Sequence, residues 1–126
     1  LFETRDERAD ADYRKYHELN GHIVTFLNDY RAKGPAHPDG GTIARYRLRR
    51  CPGFNLMTQT YAGKCEQGVT YRCVITKQDG LITFAVDGET HLEATDPDPL
   101  GGGLLGLRTF MTYLWWDNIR VIDLGE

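Results

Sequence analysis

The stretch VTYRCVITKQDGLITFAVDG, residues 69–88, decides the fold. Its second half alternates with a period of two, because Ile82, Phe84 and Val86 share one side of an extended chain. The first half is rich in β-branched and aromatic residues, which favour strands. We therefore predict two neighbouring strands here, with Ile82, Phe84 and Val86 buried between two sheets.

Two Asp-Gly pairs bound the second of these strands. Asp79-Gly80 and Asp87-Gly88 are typical of two-residue hairpin turns, so we predict that each joins adjacent antiparallel strands. Many short strands with turn signals between them predict one all-β domain over residues 1–126, an antiparallel sandwich. Strand patterns also occupy residues 22–30, 42–50, 54–61, 104–110 and 114–124. For residues 5–18 the sequence leaves a weak helix and an extended acidic loop both open, and residues 31–41 are predicted to form a polar loop.

Composition excludes several classes of protein. The chain has 126 residues, of which 40% are hydrophobic and 26% charged, as in soluble globular domains. No apolar run approaches the ~20 residues that cross a bilayer, so we expect no membrane partner. The net charge of −3 argues against nucleic acid. Residues 30–77 nevertheless carry nine basic and two acidic side chains. This basic region predicts a local anion site or a solvated strand surface, and the sequence leaves both open.

Three arginines dominate the basic region. Arg45, Arg47 and Arg49 alternate with apolar residues, so they share one side of a strand while Tyr46 packs in the core on the other. Their side chains recur about every 6.6–7 Å along the strand. A planar guanidinium binds a carboxylate through two parallel hydrogen bonds, so the spacing suits a row of carboxylates on a saccharide.

The cysteines give little support for redox or metal chemistry. Cys51, Cys65 and Cys73 form no Cys-x-x-Cys pair, and no histidine pair has the spacing of a structural zinc site. Cys51 follows several arginines, which would lower a thiol pKa, but a buried unreactive thiol is the favoured interpretation. The odd number of cysteines slightly favours a reducing, cytoplasmic compartment.

Residues 71–124 resemble the C-terminal part of the concanavalin-like jelly rolls, the lectin and glucanase superfamily. The motifs that carry this likeness are VDG at 86–88, PLGGG at 99–103, LGLR at 105–108 and WDNIRV at 116–121. Upstream, GHIV at 21–24 and RRCPGF at 49–54 are similar to the bacterial YesU-like family of that superfamily. The family has no settled activity and is linked to the utilisation of pectin and rhamnogalacturonan.

The resemblance implies a protein that binds and cleaves an acidic plant-type polysaccharide or its oligosaccharides, as a lyase or a hydrolase. A non-catalytic, lectin-like carbohydrate-binding module is an alternative, and a structural or interaction domain is another. A complete jelly roll of this family has further strands before the region of Tyr16. We therefore expect a partial jelly roll, incomplete at its N-terminus, whose sandwich is completed by a second chain or by a missing N-terminal segment.

Three side chains complete the predicted site. His22 matches the family's histidine and is the candidate catalytic base for β-elimination, which requires a base, an acid and a cation at the uronate carboxylate. A purely structural His22 is the alternative. Trp115 is predicted to offer an exposed platform to a sugar ring, and Trp116 to lie in the core. Arg108 is a candidate for a second contact with the substrate's acidic groups.

Two other chemistries are not expected. Retaining glucanases of this superfamily use paired carboxylates about 5 Å apart on one strand. Glu89 and Glu93 come closest to that pattern but leave its central acidic position empty. No loop concentrates the oxygen ligands that calcium requires, so we predict no metal site and no cofactor.

Overall fold

Six antiparallel strands form the described part of the protein. A computed structural model describes residues 19–29, 43–109 and 113–125. No helix occurs within these ranges, and so none there could cross a membrane. The strands are β1 (Gly21–Asp29), β2 (Ile43–Cys51), β3 (Asn55–Thr60), β4 (Cys73–Gln78), β5 (Leu81–Val86) and β6 (Glu89–Thr95). They form two three-stranded sheets, ordered β1-β2-β3 and β4-β5-β6.

The β4-β5-β6 sheet is built on the two predicted turns. Asp79 and Gly80 have φ angles of 50° and 82°, and Asp87 and Gly88 have 50° and 84°, the left-handed pairs that two-residue hairpins of type I′ require. The turns pair Gln78 with Leu81 and Val86 with Glu89. The prediction that both Asp-Gly pairs join adjacent antiparallel strands is confirmed.

The β1-β2-β3 sheet matches three of the predicted strands. In β1 and β2, Gly21 pairs with Cys51 and Asp29 with Ile43 without interruption. Between β2 and β3 the register shifts at Leu48 and Arg49, where β3 accommodates a bulge. Each of the three predicted strands differs from the observed one by one residue at each end.

One apolar core joins the two sheets. Tyr46 of β2 lies edge-on to Phe84 of β5, with ring centres 5.5 Å apart, and Phe26 of β1 stacks on Tyr46 at 4.9 Å. Each such side chain contributes about 1.5–3 kcal/mol when it leaves water. The fully buried members are Tyr46, Leu48, Ile82, Phe84, Val86 and Leu92. Burial of Ile82, Phe84 and Val86 between two sheets is thus confirmed.

Five predictions need correction or lie outside the described ranges, and one strand was not predicted. Residues 104–109 and 113–124 form no strand apart from an isolated bridge at Leu104, because no neighbouring strand pairs with them. Trp116, predicted in the core, is 50% exposed for the same reason. β6 was not predicted from periodicity, because only Leu92 and Ala94 of its seven residues are apolar and face the core. The weak helix at 5–18 and the loop at 31–41 lie outside the described residues.

Candidate functional site

The candidate site is the outer side of the β1-β2-β3 sheet. Tyr46 and Leu48 point into the core, at 0% and 1% exposure. The alternation of a strand therefore turns Arg45, Arg47 and Arg49 to the opposite side, where all three are partly buried. We call this surface the arginine face. Paired residues of adjacent strands share a side of the sheet, so the face also includes Ile23, Thr25, Leu27, Leu56 and Gln59.

Neighbouring side chains hold two of the guanidinium groups in place. The Nε of Arg47 donates a hydrogen bond to Oε1 of Gln59 at 3.1 Å. The Nη2 of Arg49 donates to Oγ1 of Thr25, also at 3.1 Å. The guanidinium carbon of Arg49 lies 4.8 Å from the ring centre of Phe54, within reach of a cation–π interaction. These contacts restrict the side chains before any ligand arrives, which lowers the entropy lost on binding.

The arginines also repel one another. Burial lowers the pKa of Arg49, and the positive charges of Arg47 and Arg45 lower it further. A guanidinium nevertheless stays protonated near neutral pH. Within the described ranges, the Nε–H of Arg49 is buried and has no hydrogen-bond acceptor. An anion placed on this face would therefore relieve both the mutual repulsion and the cost of desolvation.

His22 lies on the opposite, inner side of the same sheet. It pairs with Arg50 across β1 and β2, and Arg50 shares the inward side with Tyr46 and Leu48. His22 is 2% exposed. Its Nε2 lies 2.7 Å from Oδ2 of Asp96, which follows β6, and Nη1 of Arg50 lies 2.9 Å from the same oxygen.

Asp96 is the centre of this inner network. Burial alone would raise its pKa, but the hydrogen bond from the backbone N–H of Asp98, the hydrogen bond from His22 and the charge of Arg50 together lower it below 3.8. Asp96 is therefore an ionised acceptor at neutral pH, and Nε2 of His22 carries the hydrogen that it donates. The backbone N–H of Asp96 donates to the carbonyl oxygen of Gly80 at 2.8 Å. The network thus ties the first sheet to the end of the second.

The structure brings together only part of the predicted site. The predicted binding residues Arg45, Arg47 and Arg49 share one face, whereas His22 faces the core on the other side of the sheet. Trp115 is 84% exposed, as a platform requires, and its ring lies edge-on to Tyr113 at 6.0 Å. The roles assigned to His22 and Trp115 stay predictions.

Arg108 is exposed and lies in a stretch that belongs to neither sheet. It therefore does not share a sheet face with the arginines of β2, and its role in binding stays a prediction.

Burial makes Cys51 an unpromising nucleophile. Loss of solvation raises the pKa of the Cys51 thiol. This effect is larger than the lowering of the pKa by a backbone hydrogen bond from Phe54 and by the charges of Arg49 and Arg50. Burial also raises the pKa values of Cys65 and Cys73. The three cysteines form no disulfide. Within the described ranges no three His, Cys, Asp or Glu side chains are grouped as metal ligands would be.

Sequence reasoning missed Asp96, Arg50 and Phe54. Arg50 could have been found from the sequence. Tyr46, Leu48 and Arg50 are alternate residues of β2, so they face the same inner side of the sheet, and an arginine on that side requires a carboxylate partner. Asp96 had no such signal, since it lies 74 residues from His22 in the sequence. Phe54 reaches Arg49 only because the chain turns between β2 and β3, with φ of 50° at Phe54 itself.

Comparison with known proteins adds no relative to this picture. No family model, no curated protein and no solved structure matches the chain. Function is therefore inferred from the chemistry of the site, because one fold can carry many functions.

Proposed function

We propose that this domain binds an acidic plant-type polysaccharide, or oligosaccharides derived from it, on the arginine face. The observation that carries the proposal is the row of three guanidinium groups on one side of β2, at Arg45, Arg47 and Arg49. Alternate residues of a strand are about 6.6–7 Å apart, so an extended chain of uronic acids laid along β2 meets a cation at regular intervals. Each guanidinium can hold a carboxylate through two hydrogen bonds.

The rest of the face suits a sugar better than a bare anion. Thr25 and Gln59 accept hydrogen bonds from the arginines, and the same side-chain groups can instead form hydrogen bonds with hydroxyl groups of a ligand. Phe54 and the half-exposed Leu56 give flat or aliphatic surface beside the charges, which matches the apolar sides of a pyranose ring.

We propose binding without cleavage as the basal activity. A general base must come within hydrogen-bond reach of the proton that it removes. His22 is buried on the inner side of the sheet, bonded to Asp96, while the ligand would lie on the outer side. This separation favours the lectin-like alternative over a lyase. The two three-stranded sheets around one core support a concanavalin-like jelly roll as the fold on which this face is built.

Calorimetric titration of matched ligands tests the proposal. The ligands are an oligomer of uronic acids and the methyl ester of the same oligomer, which has the same length and no charge. Charge-assisted hydrogen bonds contribute about 1.5–3 kcal/mol, so Arg47→Ala should weaken binding of the acid about ten- to a hundred-fold. Binding of the ester should change little. Arg47→Lys should restore only part of the affinity, because an ammonium cannot form the two-bond contact.

Arg72→Ala is the matched control. It removes the same charge from an exposed position beside β4, away from the arginine face, and should leave both affinities unchanged. Equal losses for the acid and the ester, or equal losses for Arg47→Ala and Arg72→Ala, would contradict recognition of carboxylates by this face. Release of unsaturated products during the titration, abolished by His22→Ala, would instead establish a lyase.

A further inference from the structure

The last described segment of the chain is apolar, exposed and without a strand partner. Residues 113–125 are exposed throughout and belong to neither sheet. Tyr113 is 90% exposed, Trp115 84% and Val121 81%. Asn118, with φ of 52°, divides the segment into two parts. The second part, residues 119–124, reads IRVIDL and has apolar residues on both sides of an extended chain. Such a run is typical of a strand that is covered on both faces.

The exposed surface is large enough to form an interface. Aromatic side chains each cover 150–250 Å² when buried, so two tryptophans, a tyrosine and five aliphatic residues at these exposures present on the order of 1,000 Å². Soluble monomers rarely expose contiguous apolar patches beyond a few hundred Å². A standard protein–protein interface uses about 800 Å² from each partner. Residues 113–124 taken together can therefore supply one side of a stable interface, with residues 119–124 as its strand-forming part.

A suitable edge for this strand is β4. At one side of the molecule β6 packs against β2 and β3, so the edges formed by β3 and β6 lie close together. β4 is the opposite edge of its sheet. Its outward residue Val74 is 41% exposed and pairs with Ala85, while Leu81, which is 40% exposed, pairs with Gln78 at the other end of β4. Thr76, Thr83 and Ala85 complete an uncharged outer surface on these two strands.

We propose that residues 119–124 of one copy pair with β4 of a second copy, and that the reciprocal exchange closes a symmetric dimer. The β4-β5-β6 sheet of each copy then gains a fourth strand, and the backbone N–H and C=O groups of the segment gain hydrogen-bond partners in that sheet. A second copy is the partner that satisfies both features at once, because the described residues of every chain include both this apolar segment outside the two sheets and the β4 edge. The contact is the same in both directions, so the assembly ends at two chains.

Three valines test this arrangement by sedimentation velocity. The wild-type chain should sediment with twice the 14.3 kDa mass of one chain. Val121→Arg, in the segment, and Val74→Arg, on β4, should each raise the dimer dissociation constant at least about a hundred-fold, because either places a charge in the apolar contact. Val69→Arg is the matched control, since Val69 is 47% exposed and lies outside both elements. It should leave the dimer intact.

Disulfide trapping identifies the strand partner. Cys73 is exposed at the start of β4. Single cysteines placed in turn at positions 119–123 of a Cys65→Ser chain should cross-link to Cys73 of another copy with one sharp maximum, because only the residue directly opposite Cys73 in a strand pair comes within the Cα–Cα distance that a disulfide spans. A monomeric wild type, an open-ended series of larger species, a dimer unaffected by Val121→Arg, or cross-links confined within one chain would each overturn the proposal.

Discussion

Replacing Asp96 by asparagine should destabilise the fold more than the same change at any other carboxylate of the described residues. The substitution keeps the size of the side chain but removes the charge that accepts hydrogen bonds from His22 at 2.7 Å and Arg50 at 2.9 Å. Each charge-assisted bond contributes about 1.5–3 kcal/mol. Loss of the buried charge returns part of its desolvation cost, and Arg50 is 20% exposed and can turn to water. The expected net loss in the free energy of unfolding is about 2–4 kcal/mol, or roughly 10 °C in Tm.

Denaturant unfolding followed by circular dichroism measures this loss. Asp98→Asn is the matched control, because the Asp98 side chain is exposed and its backbone N–H, which donates to Asp96 at 2.9 Å, is unchanged. It should shift the free energy of unfolding by no more than about 0.5 kcal/mol. The double variant Asp96→Asn with His22→Gln should lose less than the sum of the single losses, since the two residues share one bond. Equal stability of Asp96→Asn and Asp98→Asn would refute the assignment of Asp96 as the centre of the network.

Three further outcomes follow from the same contacts. The folded protein lowers the pKa of Asp96 below 3.8, so its ionised form stabilises the fold above about pH 4, and that stabilisation is lost as the pH falls through the folded-state pKa. In Asp96→Asn the free energy of unfolding should therefore decrease less between neutral and acid pH than in the wild type. Gly80→Ala should lower the free energy of unfolding more than Gly88→Ala in the same assay. Both glycines have φ above 80°, so both changes strain the backbone, but only at Gly80 would a Cβ meet the carbonyl oxygen of Asp96 at 2.8 Å. Equal losses would show that this contact is unimportant. Cys51 should resist alkylation by iodoacetamide in the folded protein because its thiol is buried and out of reach of the reagent, while exposed Cys73 should react first in a mass-spectrometric time course.

Local patterns in the sequence predict local structure well here. The alternation of β5 and the two Asp-Gly pairs predict a meander that the structure has at the expected residues, because hairpin geometry depends on adjacent residues alone. The same alternation in β2 correctly assigns Tyr46 to the core and the three arginines to the other side. β6 escaped prediction because charged and hydroxylated residues occupy its outward positions.

Long-range pairing was the part that the sequence could not supply. Residues 114–124 have the composition of a strand, but a strand forms only where a neighbour offers its backbone groups, and the described residues offer none to this segment. His22 was predicted as part of a groove with Arg47, yet the register of β1 and β2 pairs it with Arg50 on the inner side. A shift of one residue in register exchanges the two sides of a strand, so the composition of a site depends on pairing that local patterns do not determine.

The most direct test of carboxylate recognition observes the guanidinium groups themselves. In ¹⁵N-labelled protein titrated with a uronic acid oligomer, the Nε–Hε resonances of Arg45, Arg47 and Arg49 should shift in a saturable manner, while those of Arg72 and Arg120 stay in place. The methyl ester of the same oligomer should cause little shift at the first three. Unchanged resonances of the three arginines, or equal shifts at all five, would contradict the proposal that the arginine face binds the acidic saccharide.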